Sequence, residues 1–377
     1  MQRNDDAVTH GVPAALWHSI FHKFASIVRI GPWDWLGPHD FFGIQTANVA
    51  EPVFLHFHES DSAENPGLTM VFGWTGEGLY RNVLAGIDHA AMRSFEIPIV
   101  RAYLRPLAEL TPAEREIFEA AEVGLDDKGR APVFVSYHPG WMPWILDETD
   151  AKRVDAILNQ ALGVLLRAEN DKSIVARTDP LTVWVRAFDE KTKGWKEGWE
   201  RLRPFHEYAP GLKSMPSEGL FAKANALPET LGPVEVGLDV VPKVALVNAE
   251  IVKKCAGERM PLGYLFAVGD ATPENAAIAC LGSSVLYPCE DIAGMWNVVP
   301  EFLLRVFVSL GRRPREIAVS SHLMMAFLRS LQTRIHFKLT FHEKLPRFDA
   351  ILERTRALVD EKLAKVSHDA LRHSNSN

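Results

Sequence analysis

Cysteine is scarce in this 377-residue chain: Cys255, Cys280 and Cys289 are its three thiols, in no CxxC spacing. An odd number without paired spacing supports neither a disulfide framework nor a cysteine-rich zinc site. Also missing is the run of about 18 apolar residues that a membrane span needs. The start Met1-Gln2-Arg3-Asn4-Asp5-Asp6 lacks the basic and apolar regions of a secretory signal. The expectation is a soluble, cytoplasmic protein with no membrane partner. Positive charge is in deficit too, 41 Lys and Arg against 48 Asp and Glu for a net charge of −7, so nucleic acid is not the expected partner.

Several catalytic signatures are absent. There is no Gly-x-Ser-x-Gly, and Gly282-Ser283-Ser284 lacks the flanking residues that expose a nucleophile. Gly73-Trp74-Thr75-Gly76-Glu77-Gly78 has neither the Lys-Ser/Thr ending of a phosphate loop nor dinucleotide-fingerprint spacing, so it reads as a tight strand-to-helix turn. His18 and His22 have the i, i+4 spacing of zinc-protease histidines, but Ser19 stands where the general-base glutamate belongs. No cofactor can be named from motifs.

What the chain does have is apolar residues, 47% of the total, enough at this length for two cores. In the first, Leu16, Trp17, Ile20, Phe21, Phe24, Ile27 and Val28 mark a helix from Pro13 to about Arg29. Pro52–Glu59 and Gly67–Trp74 read as an antiparallel strand pair, followed by a helix from Gly78 to about Arg93 and a strand from Ser94 to Leu104. Thr111-Pro112-Ala113-Glu114 opens a capped helix. A strand at Pro132–Tyr137 leads to a helix from about Glu148 to Arg167.

After a polar stretch to Asp179, strand pattern resumes at Leu181–Phe188, and the proline-rich span Gly194–Pro233 reads as an irregular connection pinned by Trp195, Trp199 and Phe205. Strand-like runs follow at Val234–Leu238, Val244–Val247, Tyr264–Val268 and Ala277–Leu281, the last two a hairpin about Asp270–Asn275. A helix over Asp291–Leu310 ends on Gly311, and strand and helix then alternate through Glu316–Ser320, His322–Leu331, His336–Phe341 and Phe348–Val366. The expected fold class is α+β in two domains. Residues 1–172 form an antiparallel sheet with helices, 173–366 form a mixed-sheet α/β domain, and 367–377 are a disordered tail.

Three candidate sites emerge. His56 and His58 share one face of a strand and could hold a metal with Asp40, His39 or His138, giving a metal-dependent hydrolase as the alternative function. Trp33, Trp35, Tyr137, His138, Trp141 and Trp144, in two Pro-Gly-Trp corners, could line a groove for a protein or an extended peptide, although such aromatics also plug their own cores. Asp239, Asp270 and Asp291 could bind magnesium in a nuclease-like domain, against which stand their turn and helix-start positions and the acidic charge balance.

The chain resembles bacterial proteins whose domains are of unknown function. The resemblance rests on Gly31-Pro32-Trp33-Asp34-Trp35 with Phe42-Gly43-Ile44, on Phe72 to Leu79, and on Tyr137-His138-Pro139-Gly140-Trp141-Met142-Pro143-Trp144. A companion C-terminal domain is similar at Pro233–Leu238, Gly311–Val319 and after Leu345-Pro346. The resemblance implies no activity or cofactor. The expectation drawn from all of this is a binding or regulatory module.

Overall fold

A computed structural model describes residues 8–37, 39–47, 49–59, 66–85, 97–202, 215–241, 243–254, 259–272, 280–288 and 292–374. Two compact units divide the chain. The first comprises Met1–Asn82, Ile97–His138 and Pro143–Phe205; the second comprises Val83–Glu96, Pro139–Met142 and His206–Asn377.

In the first unit a short pair, β1 (Val8–Thr9) and β2 (Val12–Pro13), precedes α1 (Ala14–Ile30). The helix buries Trp17, Ile20, Phe21, Phe24 and Ile27 on one stripe and stops at Gly31, whose left-handed φ of 62° lets its N–H return to the Ile27 carbonyl. Then come β3 (Phe41–Gln45), β4 (Val53–Glu59), β5 (Pro66–Phe72), α2 (Gly73–Leu84), β6 (Ile99–Pro106), α3 (Pro112–Ala120), β7 (Arg130–Tyr137), α4 (Glu148–Asn170), β8 (Thr182–Asp189) and β9 (Gly194–Arg201). Seven of the strands form one sheet in the order β7-β6-β5-β4-β3-β8-β9.

The expected antiparallel β4–β5 pair is present, but the sheet is mixed, because β8 joins β3 in parallel. Alternation along β4 sends Val53, Leu55 and Phe57 into a core shared with α1 and α4 and turns Phe54, His56 and His58 to the opposite, outer face.

Four local expectations are corrected, the last of them in the second unit. Residues 194–201 are strand rather than irregular connection, since the span has no proline before Pro204 and Trp199 sits directly opposite Trp184 on β8. The sheet thus takes in strands beyond residue 172. The same expected connection also holds α5 (Glu218–Asn225), started by the Ser217 side chain. The helix after β5 begins at Gly73, five residues early, with Glu51 Oε2 accepting the Trp74 N–H at 3.2 Å. Its expected extension from Gly86 to Arg93 lies outside the described residues, as do Cys255, Cys289, Asp291, Phe205 and the turn residues 273–275.

The second unit has β10 (Val234–Val241), α6 (Ala249–Lys254), β11 (Gly263–Asp270), β12 (Cys280–Leu286), α7 (Ile292–Leu310), β13 (Glu316–Val319), α8 (His322–Gln332), β14 (Lys338–Phe341) and α9 (Pro346–Ser374). Its sheet is mixed as expected: β12, β11 and β10 are antiparallel neighbours, while β13 and β14 extend it in parallel. Val244–Val247, expected as a strand, is one 3₁₀ turn, too short an apolar run for periodicity to separate the two. Tyr264, Phe266 and Val268 pack with α7 and α8 on one side of the sheet; Leu265 and Ala267 pack with α9 on the other. No helix among the described residues is long and apolar enough to cross a membrane.

Candidate functional site

Register draws one line of side chains across the outer face of the first sheet. Phe41 lies opposite His56, His56 opposite Thr69, and Thr69 opposite Arg101, so four neighbouring strands each place one residue in the row. The adjacent row is Phe54, Val71 and Ile99, as apolar as a buried face should be. The polar row is the exception.

Helix α2 meets this face through Trp74, Glu77 and Tyr80, spaced at helical intervals. Trp74 packs edge-on to Phe54 with ring centroids 4.8 Å apart. Glu77 is 0% exposed, and its Oε2 lies 2.8 Å from Nε2 of buried His56. The His56 ring is stacked on Phe41 at 4.4 Å and flanked by Tyr80 at 4.8 Å. Glu77 Oε1 accepts no hydrogen bond among the described residues; Arg81 Nε approaches it at 3.5 Å.

Thr69 connects the row sideways. Its hydroxyl is 2.8 Å from His58 Nε2 and also bonds Tyr80, whose phenol pKa is raised by burial against the lowering effects of that bond and of the Arg101 charge. The Arg101 guanidinium lies 5.3 Å above the Tyr137 ring. At the other end, Arg177 covers the Phe41 ring at 4.8 Å and donates to the carbonyls of Thr182, His39 and Pro180. Burial, and next the charge of Arg81, lower its pKa.

The two histidines singled out in the sequence therefore share a face, as their spacing requires, but meet different partners, Glu77 and Thr69. Among the described residues, the group of three metal-capable side chains lies elsewhere, at His138, Asp147 and Asp150, whose ligand atoms all fall within 4.8 Å of one another. Its geometry follows from the corner after β7. Ser136 and Trp144 exchange backbone hydrogen bonds of 2.7 and 3.0 Å, which brings the chain back to start α4 beside the strand end. Asp147 caps that helix by accepting the Asp150 N–H at 2.8 Å. Asp150 Oδ2 accepts the Ser136 hydroxyl at 2.7 Å and lies 2.8 Å from His138 Nε2; the His138 side chain is 42% exposed.

Trp33 and Trp35 pack against the core of the first unit, and Trp35 Nε1 reaches the Ile30 carbonyl at 3.4 Å. No ring contact joins either of them to Tyr137 or Trp144 among the described residues. Trp144 is 42% exposed. Trp141 belongs to the second unit, where its backbone bridges Pro261 and Met142 N–H donates to the Met260 carbonyl at 2.8 Å. Sequence reasoning missed Thr69, Glu77, Tyr80, Arg81 and Arg101, and also Asp147 and Asp150. The spacing of Trp74, Glu77 and Tyr80 was available as a signal, masked by the glycines around them.

Residues 17–186 match a family described as Domain of unknown function (DUF7309). The matched span runs from within α1 into β8 and contains both the polar row and the His138 cluster. No curated protein and no solved structure is similar to the chain.

Proposed function

We propose that the first unit is a ligand-binding module that works through the polar outer face of its seven-stranded sheet. The observation that carries this reading is Glu77: a carboxyl group with no exposed surface, one oxygen of which accepts no hydrogen bond among the described residues, held against His56 on an otherwise apolar face. Burying a charge costs several kcal/mol unless its partners repay it, and an apolar replacement of a buried pair is often neutral or stabilising. A buried carboxyl group whose pairing is left incomplete is characteristic of functional sites.

The test is the triple variant His56→Leu/Thr69→Val/Glu77→Leu, followed by thermal unfolding. A midpoint equal to the parent's or higher supports a row kept for binding. A fall of more than about 10 °C, well over 1 kcal/mol for a unit of this size, assigns the row to structure and overturns the reading. The second unit, with its motifs at Pro233–Leu238 and Gly311–Val319, is proposed as the companion domain of the same architecture.

A second reading attaches a divalent cation to His138, Asp147 and Asp150. One imidazole and two carboxylates suit zinc or manganese, with water completing the shell. Metal analysis of untagged protein after incubation with each ion and desalting should retain one equivalent, lost in His138→Ala. No retained metal, or equal retention in the variant, removes this reading.

A further inference from the structure

Arg101 projects from β6, the strand next to the β7 edge of the sheet, in the row with His56 and Thr69, and it is half-buried. Its Nε is enclosed and makes no hydrogen bond, and no carboxylate pairs with its guanidinium among the described residues. The neighbouring arginines differ. Arg105 is held by both oxygens of Glu114 and by the Tyr103 hydroxyl, and Arg186 and Arg167 share Glu197. Glu77, the acid nearest the row, is already engaged by His56 and approached by Arg81.

A guanidinium keeps its charge even when partly enclosed, and where its Nε is shut in, its two Nη groups still point outward together in a geometry that matches two oxygens of a carboxylate or phosphate. Among the described residues, no protein acceptor meets those Nη groups of Arg101. The Tyr137 ring lies 5.3 Å from the guanidinium, within reach of a cation over an aromatic face, and the Tyr80 ring belongs to the same neighbourhood, since the Arg101 charge acts on its phenol.

We infer that Arg101 is the anchor for an oxyanion, a carboxylate or phosphate group of a small ligand, gripped in bidentate fashion above Tyr137. This names the ligand chemistry for the binding face proposed above and rests on that reading. It also gives a role to Tyr137, which the aromatic corner had suggested on other grounds.

The experiment is calorimetric titration of the full chain at low ionic strength with two probes, inorganic phosphate and succinate, using wild type, Arg101→Gln and Arg101→Lys. Saturable binding of at least one probe is expected, weakened tenfold or more in Arg101→Gln and by an intermediate factor in Arg101→Lys, which keeps the charge but loses the two-pronged edge. Phosphate binding without succinate assigns a tetrahedral group; the reverse assigns a carboxylate. Absence of saturable binding by both probes in wild type overturns the inference, as does an affinity within twofold of wild type in Arg101→Gln. Should Arg101→Gln fail to fold, Arg101→Lys carries the decision: affinity equal to wild type overturns the proposal. The triple variant of the row separates the two ideas. If it unfolds early while wild type still binds an oxyanion through Arg101, the anchor stands and the broader reading of the row fails.

Discussion

Glu235, on β10, accepts the backbone N–H of Phe348 at 2.9 Å with the same Oε2 that accepts the Arg347 N–H at 2.7 Å, and so caps α9 from a neighbouring strand. Burial nevertheless raises the pKa of this carboxyl above 4.5, outweighing both backbone bonds. The folded protein therefore holds the Glu235 proton more tightly than the unfolded chain does. As pH rises from about 4.5 through the raised value, the unfolded chain has already lost the proton, and the contribution of Glu235 to stability falls. Urea unfolding of wild type and Glu235→Gln across pH 4 to 7 should show the wild type losing ground to the variant over that window. A constant difference would remove Glu235 as the source.

Two glycines should respond in opposite ways to alanine. On Gly237 an added Cβ would come within 2.5 Å of the Phe348 ring, whereas on Gly198 it would meet nothing within 4 Å. Gly237→Ala is expected to cost about 1–3 kcal/mol in chemical denaturation, and Gly198→Ala to be neutral or to gain up to about 1 kcal/mol.

The His56–Glu77 pair should show strong coupling. Glu77→Ala leaves His56 and Arg81 facing a cavity and is expected to cost about 3 kcal/mol or more. Since His56→Ala removes the same bond, the double variant should lose less than the sum of the singles, by about 1 kcal/mol or more in a double-mutant cycle. Additive losses would mean that the 2.8 Å contact does not hold in solution.

At α3 the Thr111 hydroxyl accepts the Glu114 N–H while the Glu114 carboxylate accepts the Thr111 N–H. Thr111→Ala should cost about 1 kcal/mol, with Thr111→Ser restoring most of it. The Glu114 carboxylate also holds Arg105, so Glu114→Gln is expected to be the more damaging change.

Elements whose cause is local could be read directly from the chain. The stripe of α1, the Thr111-Pro112-Ala113-Glu114 start of α3 and the Gly311 stop of α7 each depend on residues within a turn or two. The parity of His56 and His58 was legible for the same reason. Their partners were not, because Phe41, His56, Thr69 and Arg101 come together only through strand register, which no short window contains. The His138 cluster needed the Ser136–Trp144 exchange to bring Asp147 and Asp150 beside the strand end. Strand β9 escaped notice because prolines downstream suggested an irregular stretch, while its register with β8 is a long-range fact.

The parallel seam between β3 and β8 sets a minimum for the first unit as a piece of chain. Phe42 lies opposite Trp184 in that seam, so β3 waits, with one side of its backbone unpaired, until α4 has carried the chain back across the sheet. During synthesis this seam cannot close before β8 has emerged, and it is non-local enough to slow folding. A fragment ended near residue 172 would leave β3 as a bare edge, open to pairing with a second molecule, and one ended after Leu202 would not.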